Sequence, residues 1–553
     1  MRHGGQILID QLTLNGIDRV FCVPGESYLA ALDGLYQSNS IETIICRQEG
    51  GAAMMAEAYG KMTNLPGICF CTRGPGATNA SAGVHVAMQD STPMILFIGQ
   101  VAGSMAEREA FQEIDFRRMY GDMAKWIGQI DRIERIPEYV SHAFHTAMTG
   151  RPGPVVLALP EDMLSSHAEV EDARPAQPAQ AKISAEDLSA LQSHLQQASQ
   201  PLIIVGGPAW TSDAQAQLMA FAERVNIPVA AAFRYQDYMD NRHANYVGDV
   251  GIGIDPKLAQ RVRETDLLIA FGPRLGEMTT SGYSLVDIPN PKQKLIHIHP
   301  GAEELGRVYR PDMAINASLR SVAASLEKII DLDQSKWAGW TRAARADYEA
   351  YCQLLETPGE VKFEQIVNHV SNILPDDAII TNGAGNYAGF VRRYHQYRTY
   401  RTQLAPTSGS MGYGVPAAIA GKLVRPQVPV ICYTGDGDFM MTCQELATAV
   451  QYDIPIIIIL ANNGTYGTIR MHQEREYPDR VSGTSLKNPD FAAMATSFGA
   501  HGETVLKTAD FKSAFQRAMD SGKPALINCL IEAEAITPQT TLTKITGLAK
   551  QSP

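Results

Sequence analysis

Short apolar runs, many of them β-branched, alternate along this chain with longer stretches in which apolar residues recur at helical spacing. A run of this kind bounded by Gly, Pro or Asn reads as a buried strand. In the first part such runs stand at Val20–Val23, Thr43–Cys46, Gly67–Cys71, Met94–Ile98 and Pro154–Leu159. In the middle they stand at Leu202–Val205, Val229–Ala231, Leu267–Phe271 and Leu295–His299, and in the last part at Ala378–Thr381, Val428–Tyr433, Ile454–Leu460 and Ala525–Cys529. Strands that are apolar throughout, separated by helical segments, belong to parallel sheets covered by helices on both faces. The expected fold class is therefore α/β, with three doubly wound parallel-sheet domains.

The first domain is expected over residues 1–165 and opens on a short amphipathic helix around Ile7, Leu8 and Leu12. Residues 166–184, with Pro175 and Pro178, read as a linker. The central domain is expected over 185–335 and the third over 358–533, with a charged helical connection between them. The last twenty residues, rich in Thr and Gln, read as a tail. Ligands of open α/β sheets sit beyond the carboxyl ends of strands, so loops such as Pro24-Gly25-Glu26 and Gly74-Pro75-Gly76 are where a site is sought.

Composition narrows the class. A chain of 553 residues accommodates about three domains. With 45% hydrophobic and 19% charged residues it reads as a soluble enzyme rather than a disordered chain. The net charge of −12 argues against a general nucleic-acid binder. No signal-peptide core opens the sequence, and no apolar run reaches the roughly 18 residues a membrane span needs. The eight cysteines show no C-x-x-C pair and no zinc spacing, and read as reduced, mostly buried small hydrophobes of a cytoplasmic protein.

The chemistry concentrates where two strands end. Val428–Tyr433 leads into Thr434-Gly435-Asp436-Gly437-Asp438-Phe439, in which the glycines let backbone N–H groups approach a phosphate and Asp436 offers a hard oxygen to Mg²⁺. Ile454–Leu460 leads into Asn462-Asn463-Gly464-Thr465-Tyr466-Gly467, where the Asn463 amide and a following carbonyl, that of Thr465, can supply further oxygens. Alone, Gly-Asp-Gly after a strand is an ordinary turn. Followed at twenty-four residues, 438–461, by Asn-Asn, it resembles the metal-diphosphate motif of thiamine-diphosphate enzymes.

The first domain matches independently. Arg47-Gln48-Glu49-Gly50-Gly51-Ala52-Ala53 resembles the R-H-E-x-x-A-A segment of the same enzymes, although a glutamate at a helix start also has a plain macrodipole explanation. Val23-Pro24-Gly25-Glu26, Gly74-Pro75-Gly76-Ala77-Thr78-Asn79, Ala110-Phe111-Gln112-Glu113, Gly150-Arg151-Pro152-Gly153-Pro154 and Gly409-Ser410-Met411-Gly412-Tyr413-Gly414 follow the order of the acetolactate synthase large-subunit-like family. The likeness extends over nearly the whole chain and is densest in the first and third domains.

This resemblance implies thiamine diphosphate and Mg²⁺ as cofactors. Glu49 matches the glutamate that hydrogen-bonds the pyrimidine and favours the imino tautomer that deprotonates the thiazolium C2. Met411 matches the bulky residue that bends the cofactor. Gly385-Asn386-Tyr387 resembles the diphosphate-binding G-Q-H segment in different letters. With Gly25, Gly435, Asp436, Gly437, Asp438, Asn463, Thr465, Tyr466 and Gly467 these form the expected cofactor set, of which Asp436, Asn463 and Thr465 are the metal ligands. Gln112 retains the family letter and is a candidate to contact substrate. The family places the cofactor between the first domain of one subunit and the third of another, so a homodimer or homotetramer is implied.

The departures fall near the substrate. His472 in Arg470-Met471-His472-Gln473 stands where acetolactate synthases have a Trp, and is carried as a catalytic candidate beside Glu49 and Gln112, although a lone His is often structural. Gln48 replaces a histidine, and Leu159-Pro160-Glu161-Asp162 replaces a cation by an acid. In the central domain Leu295-Ile296-His297-Ile298-His299-Pro300 puts a histidine where the family has an acid that helps hold FAD, and no G-x-G-x-x-G opens the domain. The resemblance thus leaves FAD open but disfavoured. The implied activity is a lyase or carboligase of 2-keto acids or 2-hydroxy ketones, with acetolactate synthase the nearest named activity. The alternatives are benzaldehyde lyase-like or 2-hydroxyacyl lyase-like chemistry, a flavin-dependent pyruvate oxidase, and a non-catalytic homologue. Glu49, Asp436 and Asn463 together speak against the last.

Overall fold

The computed structural model describes residues 1–551 and is built on three six-stranded parallel sheets. The first contains, in chain order, Arg19–Cys22, Glu42–Ile45, Gly67–Cys71, Met94–Gln100, Trp126–Gln129 and Pro154–Pro160. Numbered 1 to 6, these strands lie side by side as 2-1-3-4-6-5. The third sheet has the same order, from Ile379–Asn382, Gln403–Leu404, Val430–Gly435, Ile457–Asn462, His501–Val505 and Ala525–Leu530. The central sheet runs 3-2-1-4-5-6, from Pro201–Val205, Val229–Ala231, Tyr246–Asp249, Leu267–Phe271, Lys294–His299 and Met313–Asn316. In the first and third sheets strand order reverses between strands 1 and 3, and that crevice is where an α/β sheet binds its ligand.

Five of these strands lie outside the apolar runs of the sequence: Trp126–Gln129, Tyr246–Asp249, Met313–Asn316, Gln403–Leu404 and His501–Val505. The C-terminal segment also departs from the expected tail. Leu542–Ala549 is a helix whose Leu542 is buried, and Thr546 donates to Glu474 on the helix Gly467–Glu476 at 2.8 Å. The expected linker is fastened to the first domain. His167–Ala168 pairs antiparallel with Arg2–His3, and Asp172 accepts from Arg2 at 2.9 Å and Gln11 at 2.7 Å. Among the described residues no helix is long and apolar enough to cross a membrane. Six cysteines are buried, and Cys352 and Cys443 are half-buried.

One buried apolar cluster joins the first and third domains, because the helix Glu49–Thr63 packs on the helix Gly414–Val424. Ala52, Ala53 and Ala56 on one side, with Ala417, Ala418 and Ala420 on the other, let the two backbones approach closely. A polar network closes the same junction. The Lys61 ammonium meets Asp90 at 2.5 Å and Glu57 at 3.2 Å, Tyr413 donates to Glu57 at 2.5 Å, and Thr407 donates to Asp90 through its backbone at 2.8 Å and through its hydroxyl. Burial drives the Glu57 carboxyl up, and Lys61 opposes it. Breaking such a network costs more than never having built it, because the surviving charge stays desolvated. Asp90→Ala is expected to cost about 3 kcal/mol, the low end for a broken buried pair since Glu57 still faces Lys61. A lowered thermal midpoint with unchanged secondary structure checks this; an unchanged midpoint contradicts it.

Candidate active site

In the third domain, strands 1, 3 and 4 are neighbours, so the loops after Asn382, Gly435 and Asn462 converge on one cleft. The cleft has a volume of about 250 Å³, and Gly385, Tyr387, Met411, Asp436, Asn463 and Gly467 are among its lining residues. Asn386, Gly435, Gly437, Asp438, Thr465 and Tyr466 also line it, so every third-domain residue of the expected cofactor set is brought together.

Asp436 opens a short helical turn directly after its strand and is only 3% exposed. Its Oδ1 accepts from the Gly437 N–H at 2.9 Å, and its Oδ2 accepts from the Gly464 N–H and the Asn488 amide, both at 2.8 Å. Burial raises its pKa, and these hydrogen bonds oppose the rise. The same Asn488 amide donates to Asn462 at 3.0 Å, tying the two strand ends together. The carboxylate is thus oriented by three donors, with no lysine or arginine paired to it among the described residues. Asn463 on the adjacent strand end presents its amide oxygen, which accepts from the Thr465 N–H at 3.1 Å. Thr465 itself is pinned by a hydroxyl hydrogen bond to Thr484 at 2.9 Å. A carboxylate and an amide oxygen on neighbouring strands fit a hard divalent cation that completes its shell with phosphate and water. A side chain at Gly437 would displace Tyr466, because a Cβ there would lie 2.4 Å from its ring.

Asp438 has a different position from Asp436. It is fully enclosed and accepts from the Tyr387 hydroxyl at 2.5 Å, the Gly412 N–H at 2.6 Å and the Thr434 hydroxyl at 2.8 Å. These donors come from three separate segments, so one carboxylate just after Gly435 fastens the Gly385 and Met411 loops to the strand Val430–Gly435. Gly412 reaches it with φ at +81°, a conformation glycine adopts freely. Thr468 donates to Asn386 at 2.9 Å and fixes the far wall. Ile531, Ala535 and Ile536, from the segment after the last strand, complete the apolar lining with Met411 and Ile469.

The first-domain residues gather at the corresponding crevice of their own sheet. Glu49 is the first residue of the helix Glu49–Thr63, which Gln48 caps by accepting from the Gly51 N–H at 3.1 Å. The Glu49 side chain is 9% exposed and accepts from the Asn79 amide at 2.9 Å. Its other oxygen would lie 3.1 Å from a Cβ on Gly76. Gly25 packs on Thr72, and the Gln112 carbonyl accepts from the Gly74 N–H at 2.9 Å with its own φ at +64°. Glu161 pairs with Arg73, just before Gly74-Pro75-Gly76, at 2.5 Å, so the acid in Leu159-Pro160-Glu161-Asp162 has its own cation.

None of these first-domain residues lines the third-domain cleft. Within one chain the two groups remain separate, although the two domains pack on each other through the helix that Glu49 begins and through hydrogen bonds such as those of Thr407 with Asp90 and of Arg47 and Gln48 with Glu445. His472 lies one turn beyond Thr468 on the helix Gly467–Glu476, exposed, with its Nδ1 against Arg475 and outside the cleft. Asn488 and Thr72 carry no motif spacing and only their hydrogen bonds reveal them, whereas Asn79 closes the Gly74–Asn79 motif and its bond to Glu49 shows its task.

The central domain has a cavity of about 390 Å³ at the carboxyl ends of its strands. Its one guanidinium, that of Arg274, is paired with Glu304 at 3.4 Å, and Glu304 also holds Arg151 and Arg307. His297 and His299 are buried away from it, bonded to Pro273 and Gly301 at 3.0 Å. Burial pushes the His299 pKa down to about 4 and lowers that of His297, so both rings are neutral near pH 7. Among the described residues lining this cavity, a dinucleotide diphosphate would meet no lysine or arginine free of a carboxylate.

Three family models match the sequence. The thiamine pyrophosphate enzyme N-terminal TPP binding domain covers residues 2–119, the central domain 188–326 and the C-terminal TPP binding domain 383–529. The acetolactate synthase large subunit of Corynebacterium glutamicum is 31% identical over 552 residues, covering 96% of this chain and 87% of the relative. The acetolactate synthase isozyme 2 large subunit of Escherichia coli is 28% identical over 97% of each chain. A probable acetolactate synthase large subunit of Methanocaldococcus jannaschii is 30% identical over 96% of this chain and 93% of its own.

Proposed function

The chain belongs to the thiamine pyrophosphate enzyme family, and from that premise we propose a Mg²⁺-dependent lyase or carboligase that acts on 2-keto acids or 2-hydroxy ketones, with acetolactate synthesis its nearest named activity. The observation that carries this reading is the Asp436 carboxylate, buried, aimed by three donors and paired with no lysine or arginine among the described residues, beside Asn463 just past the end of the next strand. Asp436, the Asn463 amide and the Thr465 carbonyl would hold Mg²⁺. The backbone around Gly435, Gly437 and Tyr466-Gly467 would receive the diphosphate, with Gly385-Asn386-Tyr387 as the opposite wall. Thiamine diphosphate, when bound, supplies an acidic thiazolium C2 that becomes the nucleophile.

The chain's own residues then have distinct tasks. Glu49 holds a proton at the pyrimidine nitrogen. Met411, which lines the cleft, would pack against the cofactor and bend it. Gln112, on the loop beside Gly74, faces substrate. His472 is exposed in the single chain and is given no step. Because Glu49 and Asp436 do not share a cleft in one chain, a second copy completes each site, and the working unit is a homodimer or homotetramer.

The test is a product analysis with several 2-keto acids, thiamine diphosphate and Mg²⁺. Release of carbon dioxide with a coupled acyloin or acetolactate supports the proposal. Cleavage of an acyloin without keto-acid turnover moves it toward benzaldehyde lyase-like chemistry, and no turnover of any of them rejects it. The committed Arg274 and the neutral histidines argue against a flavin, so the purified protein is expected to be colourless. A stoichiometric flavin spectrum would instead favour an oxidase.

A further inference from the structure

Where the three domains meet there is a small cavity lined by Lys61 of the first domain, Arg234 and Asp237 of the central domain and Arg401 of the third. Lys61 is neutralised by Asp90 and Glu57. Asp237 spends its Oδ2 on the backbone N–H groups of Thr402 at 3.0 Å and Gln403 at 3.2 Å. Neither Arg234 nor Arg401 forms an ion pair among the described residues. The Nε of each is buried with no hydrogen-bond partner. Other arginines with a buried, unbonded Nε differ, since Arg73, Arg274 and Arg398 each pair with a carboxylate.

The two guanidinium groups are nonetheless held in place. Arg234 lies over the Phe233 ring at 4.9 Å and donates to the Gly383 carbonyl at 3.3 Å. Arg401 lies over the Tyr400 ring at 5.3 Å. Both backbones are left-handed, with φ at +70° and +61°, a region that non-glycine residues enter at a cost. Partly buried arginines are ordinarily paired with a carboxylate, and two guanidinium groups that line one cavity without an ion pair are unfavourable neighbours. Planar guanidinium forks match the oxygens of phosphate-type anions.

We propose that this junction is an anion site, in which Arg234 and Arg401 hold a small oxyanion of the phosphate type. Its walls lead to the cofactor cleft from two sides. Arg234 is bonded to Gly383, at the head of the Gly385 loop, and Thr407 in the cavity wall precedes Gly409 and Met411. An anion here would brace the three domains against one another behind the cleft.

The test is calorimetric titration of inorganic phosphate into the full-length protein already saturated with thiamine diphosphate and Mg²⁺, at ionic strength matched with chloride. Filling the cleft first keeps phosphate from binding there. Saturable binding of one phosphate per chain is expected, weakened at least about tenfold by Arg401→Gln and by Arg234→Gln, as loss of one charge-assisted fork implies. Thermal melting in chloride alone shows whether each variant is folded, and either folded variant suffices. No saturable binding to the unmodified protein overturns the proposal, as it would if a partner copy's carboxylate filled the cavity. Equal binding by the unmodified protein and a folded variant overturns it as well.

Discussion

Glu49→Gln is expected to slow hydrogen–deuterium exchange at the thiazolium C2 by about 10²–10⁴-fold, the range for losing one positioned proton donor or acceptor. The substitution keeps the shape of the side chain. Glutamine at the start of the helix Glu49–Thr63 can still accept from the Asn79 amide at 2.9 Å and still fits against Gly76. It cannot carry the shared proton, because an amide neither gives up nor takes one near neutral pH. The proposed diphosphate end would be held by residues of another domain, so cofactor affinity should change far less than the exchange rate. That contrast separates a chemical role from a packing role. An exchange rate in the variant matching the unmodified protein would reject Glu49 as the proton-handling group, whatever happened to turnover. Glu49→Ala should lose exchange too, but it also strands the Asn79 amide and is less informative.

How much of this was legible in the sequence depended on burial. Strands covered on both faces, such as Gly67–Cys71 and Leu267–Phe271, are apolar at every position and show as runs. All five strands that the pattern did not reveal lie at sheet edges, where one side has no neighbour. Met313–Asn316 buries only Ile315, and His501–Val505 buries only Val505, so their letters resemble loops. Gln403–Leu404 is too short to show any alternation. The C-terminal helix was hidden in the same way, since only Leu542 of its eight residues is buried.

The candidate site divides along a different line. Groups in local motifs were visible because each chemical task needs a fixed spacing after a strand, as with Gly435-Asp436-Gly437. Their supports were not, because a hydrogen bond has no sequence period. Asn488 lies 52 positions from the Asp436 it orients, and Tyr413 lies 356 positions from Glu57. Asp438 was legible as a member of the cleft but not as the tie between three loops. The motifs also could not show that Glu49 and Asp436 of one chain line different crevices. That separation depends on how the first and third domains pack through the helices Glu49–Thr63 and Gly414–Val424, and it is why the proposal needs a second copy.

Asp436→Asn should produce the largest loss of cofactor binding. Removing one partner of a buried charge interaction costs about 3–5 kcal/mol, which corresponds to roughly 10²- to 4 × 10³-fold weaker binding of thiamine diphosphate with Mg²⁺. The local geometry makes the loss hard to recover. All three groups facing the carboxylate are donors, namely the Gly437 and Gly464 N–H groups and the Asn488 amide. An asparagine must turn its NH₂ toward at least one of them, so it forfeits a hydrogen bond as well as the charge. Asn488→Ala offers a graded comparison. It leaves the charge and removes one orienting donor, so a loss of about 10–100-fold is expected, typical of a group that supports a metal ligand. Titrating thiamine diphosphate at several Mg²⁺ concentrations, with quenching of protein fluorescence as readout, ranks the three proteins. If Asp436 is the metal ligand, raising Mg²⁺ should rescue Asn488→Ala substantially and Asp436→Asn scarcely. Cofactor affinity that is unchanged in Asp436→Asn, or equally rescued in both variants, would mean that Asp436 only braces the turn.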